Sequence, residues 1–283
     1  MKSKLGLGCM ILLMVIATTA SAQEPSRAEI VKRLKAATVF LEVGERRDGA
    51  AVCLHESGVF VTSEQRVRGQ KEVTLVRDPS LPSQKAFTAR IVRADAALDL
   101  AILQVETKAV WPALSRGASD DLVEQNEVFA AGFPFGTDDL GKDEYPAISV
   151  TAGKISALRR SKGELDRIQM DAGVALGASG GPLVDSQGKL IGFIVSNVKG
   201  MAVNLAVPVS RIETFVAAPE VQVEAPMVSF EDRFKAASFR VKVLTLLPAS
   251  TPFEVELLLD ATTARPRLFL MKLEHTEYRV AAP

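Results

Sequence analysis

Residues 171–183 read DAGVALGASGGPL, and residues 58–67 read GVFVTSEQRV. The first stretch sets Ser179 among Gly177, Gly180 and Gly181, then runs into the strand-like LVDSQGKLIGFIV. Glycine lets a backbone turn tightly and approach a neighbour closely. A serine on such a turn can face a carbonyl carbon while nearby backbone N–H groups meet a developing oxyanion. Its hydroxyl stays a poor nucleophile until a base takes the proton. The usual base is histidine, and the chain has two, His55 and His275. A phosphate-cradling loop would need Lys and then Ser or Thr after the second glycine. Pro182 and Leu183 stand there instead, which excludes it.

The flanks of the serine loop set the fold class. From Thr38 onward come short runs rich in Val, Ile, Phe and Leu, separated by Gly, Asp, Ser and Pro. They are TVFLEVG, GVFVTS, EVTLVRD, FTARIVRAD, LAILQVE, EVFAAGF, ISVTAGKISAL, RIQMDA, KLIGFIVS and VNLAVPV. Many short strands with turn signals between them predict an all-β barrel or sandwich. Residues 25–37 read as a short amphipathic helix started by Pro25 and Ser26, and a second short helix is expected near Arg211–Val216. Residues 218–226, rich in Pro, Ala and acid, read as a linker. Residues 227–283 read as a small β-rich module. With fewer than 60 residues and no disulfide it has little core of its own, so it is expected to pack on the main domain or to be a shortened version of something longer.

Bulk properties narrow the partners. The 283 residues are 47% hydrophobic and 24% charged, with 34 basic and 34 acidic side chains. That balance argues against a nucleic-acid partner or an acidic membrane surface. Lys2 and Lys4, the apolar Leu5–Ala17 and the small-residue site Ala20-Ser21-Ala22 read as an export signal over residues 1–22. Cleavage there leaves no transmembrane span and implies a periplasmic or secreted protein. Cys53 is then the one remaining cysteine; it sits in the apolar stretch Ala50–Leu54 and reads as a buried small hydrophobe. No His, Cys, Asp and Glu cluster has metal-ligand spacing, so neither metal nor cofactor is expected.

The ordered set of motifs resembles the protease domain of HtrA/Deg-type trypsin-like serine proteases. It covers about Ala36 to Val216, within a domain expected at 23–217. The resemblance implies a two-barrel trypsin-like fold. In it Ser179 is the nucleophile, the N–H groups of Gly177 and Ser179 form the oxyanion hole, and Asp99, opening DLAILQV, is the triad aspartate. Further matching pieces are VFAAGFPFG (128–136), VTAGKIS (150–156) and LAVPV (205–209). Asp171 inherits a structural or subsite-lining role.

One position departs from the family. The pattern there is a strand, then Thr, two residues and His; this chain has Thr62, Ser63, Glu64 and Gln65. Glutamine cannot accept a proton near neutral pH, although its amide can hydrogen-bond both Ser179 and Asp99. His55 falls in a turn and His275 in the C-terminal segment, and both read as surface residues. Two classes follow. The missing base favours a pseudoprotease that binds extended or unfolded polypeptides by strand addition. The retained Ser179 and Asp99 keep open an active serine endopeptidase with an unorthodox base.

Overall fold

The computed structural model describes residues 24–133, 144–174, 176–195, 204–224, 240–246, 255–259, 267–271 and 277–278. The export signal expected at residues 1–22 and His275 lie outside them.

The first helix, α1 (Arg27–Ala37), starts where Ser26 accepts the Glu29 N–H at 3.3 Å, and it buries Ile30, Leu34 and Ala37. That is the helix expected at 25–37. Six strands follow: β1 (Thr38–Val43), β2 (Arg46–His55), β3 (Val59–Thr62), β4 (Glu72–Arg77), β5 (Lys85–Asp95) and β6 (Leu100–Val105). They close into a barrel in the order β1-β2-β3-β6-β5-β4. A four-residue helix, α2 (Glu64–Val67), leaves the end of β3. Trp111 plugs this barrel, edge-on to Phe60 and Phe87.

The second barrel repeats the design. Its strands are β7 (Glu127–Gly132), β8 (Ser149–Ser161), β9 (Glu164–Met170), β10 (Pro182–Asp185), β11 (Leu190–Val195) and β12 (Asn204–Pro208). They close in the order β10-β11-β12-β9-β8-β7. Helix α3 (Val209–Ala217) follows, and Arg93 of β5 holds its end by donating to the Phe215 and Ala218 carbonyls, each at 2.6 Å.

The expected all-β, two-barrel arrangement is what the chain forms. One core cluster joins the halves: Val61 and Ile102 from the first barrel, Phe129 and Phe193 from the second, Leu34 of α1 and Ile212 of α3. β3, β6 and β11 are buried at every position, facing a barrel interior on one side and this shared core on the other. Hence they read as unbroken apolar runs rather than as alternating ones.

The stretch expected as a linker is partly strand. β13 (Glu220–Glu224) pairs antiparallel with β14 (Arg240–Thr245), on which β17 (Glu277–Tyr278) lies parallel; β15 (Val255–Leu259) and β16 (Arg267–Met271) form a separate hairpin. Val243 is buried, and Leu246 enters the core cluster shared by the barrels. Leu246 thus ties the end of β14 to the main domain. Among the described residues no helix is long and apolar enough to cross a membrane.

Candidate active site

Ser179 follows a single 3-10 turn at Leu176–Ala178 and opens the turn that leads into β10. Both barrels grip this turn. The Ala50 N–H of β2 donates to the Ser179 carbonyl at 3.0 Å, and the Gly180 N–H donates to the Ile194 carbonyl of β11 at 2.7 Å. The Gly181 N–H closes back on the Ala178 carbonyl at 2.9 Å. Thr62, at the end of β3, donates its hydroxyl to the Ala50 carbonyl at 2.8 Å. Gly180 has φ +90°, and a Cβ there would stand 2.0 Å from the Ala50 carbonyl oxygen and 2.4 Å from Thr62 Oγ1. The loop therefore seats directly against the strand end from which residue 65 departs.

The Ser179 side chain is 1% exposed, and its Oγ makes no hydrogen bond to any described residue. Around it the turn geometry sets the backbone dipoles. The Gly177 carbonyl accepts from the Phe133 N–H at 3.3 Å.

Asp99 stands between β5 and β6 at φ +54° and is 7% exposed. Its carboxylate accepts the Ser63 hydroxyl at 2.8 and 2.9 Å, one distance to each oxygen, and the Gln65 N–H at 2.9 Å. Ser63 is the residue before α2, yet its hydroxyl does not cap that helix. Asp99 supplies the acceptor instead, from 34 residues away.

Ser179, Asp99 and the backbone of Gln65 thus gather at the junction of the barrels, linked through Ala50, Thr62 and Ser63. The Gln65 side chain does not take the bridging place. It is exposed and makes no hydrogen bond to a described residue; its backbone, not its amide, meets Asp99. His55 offers no substitute. It ends β2 and pairs with Val59 at the far end of β3, about 16 Å along the strand from Ala50 at ~3.3 Å per residue. Its Nδ1 lies 2.8 Å from Ser57 Oγ and accepts the Ser57 N–H at 3.2 Å, a local turn lock. Asp171 accepts the Lys154 N–H at 2.5 Å and ties the end of β9 to β8, a structural task. Among the described residues, no three His, Cys, Asp or Glu side chains group as a metal site would need.

The profile of the trypsin-like peptidase domain matches residues 49–193, which run from β2 to the middle of β11. The chain belongs to the trypsin-like peptidase family. Its relatives include serine proteases of the HtrA type. Over 177 residues it is 33% identical to the magnetosome formation protease MamE of Paramagnetospirillum magneticum, covering 59% of this chain and 23% of that one. Over 169 residues it is 31% identical to human serine protease HTRA4, covering 60% of this chain and 34% of that one. The chain therefore spans about a quarter of the first relative's length and about a third of the second's. The crystal structure of Deg5 superposes with a TM-score of 0.54 at 24% identity, covering 66% of this chain and 90% of that one, and speaks for the fold.

Within this trypsin-like domain Cys53 is buried on β2, its thiol donating to the His55 carbonyl at 3.2 Å. Burial pushes its pKa up to about 12. At pH 8 that leaves on the order of one thiolate in 10⁴, and the thiolate is the reactive form. Native protein is therefore expected to give no reaction with a thiol-specific chromophoric disulfide within an hour, and stoichiometric reaction once unfolded in guanidinium. Rapid labelling of the folded protein would show that β2 opens.

Proposed function

We propose that this protein is an exported, HtrA-type pseudoprotease that binds extended or unfolded polypeptides in the trypsin-like cleft without cleaving them. The reading is carried by Gln65, at the position the resemblance gives to histidine: its side chain is exposed and makes no hydrogen bond to Ser179. Ser179 then has no base, and general-base activation is the step a serine nucleophile cannot omit. A two-barrel fold of this family can recognise an extended chain through backbone hydrogen bonds and side-chain pockets. Residues 1–22 carry the export part of the reading, which gives a periplasmic or secreted setting.

Capture tests it. A fluorescent, unfolded polypeptide is titrated with wild type and with Ser179→Ala, and the ligand is weighed by mass spectrometry afterwards. Equal saturable binding by the two proteins and an intact ligand are expected. Absence of saturable binding would end the polypeptide-binding reading. Fragments formed by wild type and not by Ser179→Ala would establish the alternative, an active endopeptidase with another base.

A further inference from the structure

We propose that Ser63 is a positioning residue that engages the Asp99 carboxylate and disconnects it from the side chain at position 65. The inference rests on the pseudoprotease reading and deepens it: the catalytic line is interrupted at two places, Gln65 and Ser63, and not at one.

The geometry is specific. Ser63 is fully buried, and its hydroxyl stands almost equally far from the two Asp99 oxygens, 2.8 and 2.9 Å. A donor equidistant from both oxygens occupies the mouth of the carboxylate. The hydroxyl has one proton to give, and giving it to an ionised acceptor makes a charge-assisted bond, the stronger kind. The second donor, the Gln65 N–H, fixes Oδ1 from the backbone. Both bonds come from the turn at the start of α2 and hold the carboxylate against that turn. The side chain at 65 is exposed and makes no hydrogen bond to Asp99.

A carboxylate that orients an imidazole gives an oxygen to its Nδ1–H and stabilises the imidazolium. Here Ser63 competes for that acceptor. Asp99 thereby has a task independent of catalysis, fastening α2 to the start of β6, and a fold can retain an aspartate for this task alone. The other charged groups beside α2 are Glu64 and Arg68, paired with each other at 2.6–3.1 Å, and Arg66; the positive charge of Arg68 also reaches Asp99.

Nuclear magnetic resonance titration of histidine separates the possibilities. The mature chain is prepared as Gln65→His, as Ser63→Ala/Gln65→His, and as the latter pair with Asp99→Asn added. The resonance absent from wild type reports the introduced imidazole. With Gln65→His alone its midpoint is expected near the ordinary value of about 6.5. With Ser63→Ala added it should rise by about one pH unit, a tenfold gain in proton affinity from the freed carboxylate. Asp99→Asn should cancel the rise, which a general loosening of the fold would not do. Ser63→Cys/Gln65→His gives the same reading with a side chain of nearly the same shape, should the alanine variant fail to fold. A midpoint already raised with Gln65→His alone, or unmoved by loss of the Ser63 hydroxyl, overturns the proposal. The readout needs no proteolysis, so cleavage by wild type would end the pseudoprotease reading and leave this measurement standing.

Discussion

Purified wild-type protein is expected to degrade an unstructured protein substrate no faster than its Ser179→Ala variant. In subtilisin, loss of the histidine alone costs about a millionfold in turnover. At about 1.36 kcal/mol per decade that is roughly 8 kcal/mol of barrier. A protease lacking its base can retain about 10³–10⁴-fold over water through its oxyanion hole and substrate binding. Serine-directed phosphonates should fail to label the protein for the same reason, since Ser179 is 1% exposed and has no proton acceptor among the described residues. Quantitative labelling of Ser179, or substrate turnover that Ser179→Ala abolishes, would overturn the reading and direct attention to another base.

The fold was largely legible because three of its central strands are buried on both faces. GVFVTS, LAILQVE and KLIGFIVS appear as continuous apolar runs and become β3, β6 and β11. β2 is harder to read: it begins with Arg46, Arg47 and Asp48 and contains Gly49, and only Ala50–Leu54 carries the apolar signal. β13 fell inside the expected linker because EVQVE is short, exposed and preceded by Pro219. Its partner β14 begins 16 residues after it ends, and such pairing leaves no local mark.

The site was legible as positions and not as directions. Motif spacing brought Ser179, Asp99 and residue 65 to one junction, because strands fix where a backbone goes. It did not show that Gln65 meets Asp99 through its backbone N–H while its side chain is exposed. Ser63 carried no signal at all. A serine between Thr62 and Glu64 has the composition of any strand-to-helix turn, and its importance comes from an aspartate 36 residues away. What a turn hydroxyl does depends on the acceptor that tertiary structure places beside it.

The seat of the serine loop yields the largest expected effect on stability. Gly180→Ala adds a Cβ that would stand 2.0 Å from the Ala50 carbonyl oxygen and 2.4 Å from Thr62 Oγ1, at φ +90°. The nearer atom belongs to the backbone of β2, which is held in the barrel and cannot swing aside. Unfavourable backbone conformation contributes about 1–3 kcal/mol, and forced overpacking about 1–3 kcal/mol more. Gly163 separates the two. It has φ +87°, and nothing lies within 4 Å of an added Cβ, so Gly163→Ala carries the backbone strain without the collision. Thermal unfolding of the two variants should therefore differ. At about 2–4 °C per kcal/mol for a domain of this size, Gly163→Ala should lower Tm by a few degrees. Gly180→Ala should lower it by about 10 °C or more, or leave no soluble protein. Equal losses in the two variants would mean that the loop does not rest on Ala50 and Thr62, and the junction linking Ser179 to the Thr62–Gln65 turn would then fail with it.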